Sequence, residues 1–137
     1  MRPAALVTGS AKGIGRRLLL ALAEDGFDVV VHFRGSEAEA HEVASEAQGL
    51  GVEAEVVQAD VTVEEQAQAL VDRAVARFGR LDVVVNNVGN YHKGPLADLD
   101  AAAWHAMMDS NLNATFYVCQ RALPALRPSR RGRIVNV

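Results

Sequence analysis

The sequence contains a single cysteine, Cys119. It has no partner for an internal disulfide and provides no thiolate cluster for a metal. Together with the lack of a disulfide framework, this fits a cytosolic setting. The four histidines, His32, His41, His92 and His105, lack metal-ligand spacing, so no metal site is predicted. Aromatic residues make up only 5% of the chain. They are not interleaved with the basic residues as a nucleic-acid stacking surface would require. Lysine and arginine number 14 against 17 aspartates and glutamates, a net charge of -3. That balance gives no general attraction for a polyanion, and no nucleic-acid partner is predicted. No apolar run approaches the roughly 18 residues that mark a membrane span. The first strand pattern begins at Ala4, too early to leave room for a secretory signal. Against these absences, 50% of the 137 residues are hydrophobic and 23% are charged. One domain with a substantial core is expected, and disorder is not.

Short apolar runs alternate with helical periodicity along the whole chain. Ala4 to Thr8 reads as a buried strand, and Ile14, Leu18, Ala21 and Leu22 follow at helical spacing up to Asp25-Gly26. Phe27 to Phe33 is a second strand, Ser36 to Gln48 a helix stopped by Gly49 and Gly51, and Val52 to Gln58 a third strand. Thr62 and Glu65 have capping-box spacing for a helix running to Phe78-Gly79. Leu81 to Val85 is a fourth strand, Asn86 to Asp98 a loop, and Leu99 or Asp100 to Leu126 a long helix open to interruption at Asn111 to Asn113. Ile134 to Val137 begins a fifth strand. This rhythm predicts an α/β fold: a Rossmann-type, doubly wound parallel sheet in three layers, with right-handed crossovers. The sequence stops inside an apolar strand pattern. Residues 1–137 are therefore expected to be the N-terminal part of a larger Rossmann domain, incomplete after the fifth strand.

The strongest local motif is Thr8-Gly9-Ser10-Ala11-Lys12-Gly13-Ile14-Gly15, placed between a strand and a helix. Gly9 permits a tight turn, Gly13 close approach of a pyrophosphate, and Gly15 close packing of helix on sheet. The free N–H groups of the helix start face anionic phosphate. After the second strand comes His32-Phe33-Arg34-Gly35, where an NAD-binding fold would carry an acidic residue. With no carboxylate to repel a ribose 2'-phosphate, Lys12 and Arg34 are expected to flank it. Ser36 either adds a donor or caps the next helix. Asp60 is a candidate acceptor for the adenine amino group, with Val61 beside the ring; an N-cap role near Thr62 is the alternative. Asn86-Asn87-Val88-Gly89 follows the fourth strand, where Asn87 can brace the loop and Val88 and Gly89 can lie against the cofactor. Asn111 is a polar residue in an otherwise apolar helix, costly there unless satisfied. Trp104, Met107 and Met108 are expected to pack their helix. His92 and Lys93 sit on a loop near a plausible pocket mouth. Arg127, Arg130, Arg131 and Arg133 form a basic turn, with docking of an acidic carrier protein as the minority reading.

In this order, Thr8 to Gly15, Asp60-Val61, Asn86 to Gly89, Asn111 and the Gly132 to Val137 ending resemble the short-chain dehydrogenase/reductase family. The resemblance is greatest to its 3-oxoacyl-carrier-protein reductases. Val88 departs from the alanine usual in the Asn-Asn-Ala-Gly motif. The resemblance implies an NADP(H)-dependent oxidoreductase that reduces a small carbonyl substrate, in some members carrier-linked, and assembles as a homotetramer or homodimer in the cytoplasm. It assigns Asn111 a catalytic support role, holding a water in a proton relay. The family's serine and Tyr-x-x-x-Lys pair are absent here: Tyr91 has Pro95 and Tyr117 has Arg121 at the lysine spacing. The 137 residues alone are expected to be inactive, and a non-catalytic dinucleotide-binding module is the alternative.

Overall fold

A computed structural model describes residues 1–137. Its strands are β1 (Ala4–Val7), β2 (Asp28–Phe33), β3 (Ala54–Gln58), β4 (Val83–Asn86) and β5 (Arg133–Asn136). The helices are α1 (Gly13–Glu24), α2 (Glu37–Gly49), α3 (Glu64–Phe78), α4 (Ala101–Met108) and α5 (Ala114–Leu126). The five strands form one sheet in the order β3-β2-β1-β4-β5, and every pairing is parallel. This is the expected Rossmann-type arrangement. The chain winds outward from β1 to β3, then returns to the far side of β1 for β4 and β5. The strand order therefore reverses between β1 and β4, and the carboxyl ends of those strands border a crevice.

Alternate residues of each strand serve opposite layers. Leu6, Val30 and Val84 face α3 and α5, which contribute Leu70, Val71, Ala74, Val118, Ala122 and Leu126. Ala5, Val7, Val29, Val31, Val83 and Val85 face α1 and α2, which contribute Leu19, Leu20, Ala40, Val43 and Ala47. Each fully buried aliphatic side chain contributes about 1.5–3 kcal/mol relative to its exposed state. Central β1 is buried throughout, so its four apolar residues need no alternation.

Three local expectations are corrected. Thr62 does not cap α3: Val63 holds that position, and the Thr62 hydroxyl donates instead to Asp60 Oδ1 at 2.6 Å. Thr62 lies one residue ahead of the cap, its hydroxyl turned to the Asp60 carboxylate, and Glu65 completes no capping box. Trp104 does not pack its helix: α4 buries no residue, and Trp104 is 50% exposed. The long helix is broken into α4 and α5 by a π-helical segment at Asp109–Asn113, where the extra residue per turn re-aims the asparagine side chains. No helix is long and apolar enough to cross a membrane.

Candidate functional site

The glycine turn after β1 is tied down on both sides. Toward β4, Thr8 Oγ1 accepts from the backbone N–H groups of Asn87 and Val88 at 2.9 and 3.1 Å. Asn87 Nδ2 donates to Gly9 C=O at 3.1 Å. Toward β2, Gly9 N–H donates to His32 Nδ1 at 2.8 Å. Ser10 and His32 exchange two bonds, Ser10 N–H to His32 C=O and His32 N–H to Ser10 Oγ, both 3.0 Å. Ser10 is fully buried, so its hydroxyl braces the turn rather than facing the crevice. Gly9 and Gly13 have φ of 63° and 60°, a left-handed backbone that side chains disfavour. A Cβ on Gly13 would meet nothing within 4 Å, so that position opens onto the crevice. A Cβ on Gly15 would collide with the Gly9 carbonyl and the Asn87 amide. The first backbone bond of α1 runs from Arg16 N–H to Lys12 C=O at 3.2 Å. The N–H groups ahead of Arg16 have no helical acceptor, an arrangement that favours an anion. Ile14 stands exposed beside them.

Lys12 and Arg34 are both exposed at this end of the sheet, and half-buried Ser36 precedes α2 without a side-chain capping bond. A small cavity of about 200 Å³ is lined by His32, Arg34, Asp60, Val61, Val88 and Gly89, among others. Asp60 Oδ1 accepts from the Thr62 N–H at 3.0 Å and its hydroxyl at 2.6 Å. The Thr62 hydroxyl, aided by Arg34, holds the Asp60 carboxyl below the usual carboxylate range. Its other oxygen has no protein donor. Val61 is buried in the core and borders the same cavity. The crevice therefore joins an N–H-rich turn, two cations and an acceptor, a set whose chemistry fits a phosphorylated dinucleotide.

After β4, Val88 packs over the turn: a Cβ on Gly9 would lie 3.1 Å from Val88 Cγ2. Gly89 is where Asn111 approaches, and a Cβ there would overlap Asn111 Oδ1. Asn111 is exposed rather than immersed in an apolar helix. Its Nδ2 donates to the carbonyls of Asn90 and Met107. Ser110 fastens the same loop, donating to Asn90 Oδ1 at 2.7 Å and accepting from Asn90 N–H at 3.2 Å. His92 and Lys93 lie on an exposed stretch of this loop. Four contributors escaped the sequence: the side chains of Thr8, His32, Asn90 and Ser110. Of these, only the histidine interrupting Val29-Val30-Val31 was visible as an anomaly.

A parallel sheet with a strand-order reversal and a glycine turn at that point defines a dinucleotide-binding α/β protein. The family model described as short chain dehydrogenase matches residues 3–137, and the chain belongs to that family. It is 37% identical over all 137 residues to a 3-oxoacyl-[acyl-carrier-protein] reductase of Staphylococcus aureus, covering 56% of that protein. It is 40% identical over 134 residues to the short-chain dehydrogenase/reductase FrzI of Cladobotryum, covering 51% of it. Thus the chain spans about half the length of the curated relatives it matches. A short chain dehydrogenase from Burkholderia cenocepacia, solved in complex with NADP, superposes with a TM-score of 0.92 at 36% identity, over 98% of this chain and 54% of that one. A blue fluorescent protein from a metagenomic library, solved with NADPH, gives 0.92 at 32% identity over 98% and 54%.

Proposed function

We propose that this chain binds NADP(H), and that the protein to which it belongs reduces a ketone or 3-oxoacyl thioester to the hydroxyl compound. Arg34 carries the cofactor choice: an exposed cation at the end of β2, where a carboxylate would select NAD(H). The α1 N-terminus and the left-handed Gly9 and Gly13 receive the pyrophosphate. Lys12 and Arg34 neutralise the 2'-phosphate, with Ser36 as a further donor, and Asp60 accepts from the adenine amino group beside Val61. Asn87 holds the turn, while Val88 and Gly89 form the wall along which the nicotinamide half extends. When bound, the cofactor supplies a hydride to the carbonyl carbon. Asn111 positions a water for proton return from the π-helical segment, its amide aimed by the carbonyls of Asn90 and Met107. The serine and Tyr-x-x-x-Lys pair that the family uses to orient and protonate the carbonyl oxygen do not occur in these 137 residues. These residues alone are therefore expected to bind cofactor without turnover. The proposal extends to a cytoplasmic homodimer or homotetramer, for which α4, the π-helical segment and α5 expose Trp104, Leu112, Phe116 and Leu123.

A binding titration and a turnover assay test this. Nicotinamide fluorescence should report tighter binding of NADPH than of NADH, and equal or inverted affinities overturn the cofactor assignment. The full-length protein should oxidise NADPH when given a 3-oxoacyl thioester or a simple ketone. Binding with no turnover on either substrate favours the non-catalytic dinucleotide module.

A further inference from the structure

His32 lies in the middle of an apolar strand sequence, Val29-Val30-Val31-His32-Phe33, and is only 1% exposed. Strand propensity and core packing ask for another aliphatic residue there. Both ring nitrogens are engaged instead, and their partners belong to different segments. Gly9 N–H donates to Nδ1 at 2.8 Å. Nε2 lies 2.8 Å from the carbonyl of Ala59, the residue before Asp60. These partners fix the tautomer. A backbone N–H only donates, so Nδ1 carries the lone pair; a carbonyl only accepts, so Nε2 carries the proton. An imidazolium would set a second proton against Gly9 N–H.

We infer that His32 is a positioning residue for the cofactor: as the neutral Nε2–H imidazole it joins the pyrophosphate turn at Gly9 to the adenine loop at Ala59-Asp60, so that both halves of the dinucleotide seat keep one spacing. This role rests on the NADP(H)-binding proposal above. Burial pushes the His32 pKa below 6.5 against the opposing pull of the Ala59 carbonyl and Asp60, which favours the neutral form. Asp60 and Arg34 line the same cavity. Lys12 is the one charged side chain of the turn, and β1 has none. On neighbouring β3, Glu55 is paired to Arg73 and Arg77 of α3.

The test compares the full-length protein with His32→Asn and His32→Leu. Asparagine places an acceptor where Nδ1 stood and keeps the Gly9 bond but not the Ala59 one, whereas leucine loses both and leaves the half-buried Gly9 N–H unpaired. NADPH affinity at pH 8 should fall about tenfold or more in the leucine variant and less, by about threefold, in the asparagine variant, which loses only the Ala59 end of the link. From pH 8 to 5, wild-type affinity should decline more steeply than that of His32→Asn. Both share the 2'-phosphate titration near pH 6, but only one has the imidazole. Ring nitrogen shifts should report the Nε2–H tautomer, independently of any cofactor. Wild-type affinity in a folded leucine variant, coincident pH profiles, or an Nδ1–H tautomer overturns the inference while NADP(H) binding stands. Should leucine prevent folding, the asparagine profile and the ring shifts decide. No NADPH binding by any of the proteins overturns the cofactor proposal and this role together, leaving an Nε2–H signal to mark His32 as a turn brace only.

Discussion

Arg34 and Gly15 fail differently when replaced, one at the ligand and one in the packing. Arg34→Glu installs the carboxylate that NAD-selective folds carry, next to the acidic Asp60. NADPH affinity should fall by about tenfold or more while NADH affinity holds or improves, as measured by parallel fluorescence titrations. Gly15→Ala should instead cost stability, about 1–3 kcal/mol by urea unfolding, because the added methyl meets backbone at Gly9 and the Asn87 amide. Gly15 was legible in the sequence: glycines at fixed offsets after a strand have a mechanism that requires them. Ser10 was legible only as a member of the motif, and its orientation was not. Its hydroxyl turns to the His32 N–H, a partner 22 residues away, and no local pattern encodes that pairing. Thr8 is similar, since its acceptor role toward Asn87 and Val88 exists only once β1 lies beside β4.

Between elements, the amino-end edge of the sheet depends on Asp82. Its buried carboxylate accepts from Ala4 N–H and Arg80 Nε, both at 2.8 Å, and from the Ser129 hydroxyl, linking β1, the turn before β4 and the turn before β5. Burial alone would raise its pKa; the bonds from Arg80, Ser129 and Ala4 outweigh that and hold it at about 2. A depressed carboxyl stabilises the fold fully above the unfolded value of 3.8, and that contribution is lost as pH falls toward 2. The loss should amount to about 2 kcal/mol. Asp82→Asn should remove about that much stability at pH 7 and flatten the dependence of the urea midpoint between pH 4 and 2. The sequence placed Asp82 in a strand without marking it. Element types were readable from periodicity, and so was the possibility of a break near Asn111. The π geometry was not, because it depends on Asn90 receiving both Ser110 and Asn111.

At the scale of the molecule, the site is a property of the sheet's edge. Residues after β1, β2, β3 and β4 meet there only because the strands are parallel and their order reverses at β1. Alternating strands and helices made that architecture legible, since right-handed crossovers leave few arrangements. A ligand spanning all four segments should stabilise the fold as a whole. At NADPH concentrations about 100-fold above Kd, the gain is about 2.7 kcal/mol, corresponding to roughly 10 °C in a thermal melt for a domain of this size. NADH at the same concentration should give a smaller rise.

The ties between Thr8 and the Asn87-Val88 backbone span 79 and 80 residues, and they also set an order in time. On the ribosome the glycine turn emerges early, but the backbone groups that fix it are polymerised roughly 4–16 s later at about 5–20 residues per second. Through that interval β1 also lacks β4, one of its two strand neighbours. The first motif to be made is thus finished only when β4 arrives, and acquisition of cofactor affinity by a nascent chain should mark that arrival rather than the synthesis of the glycines.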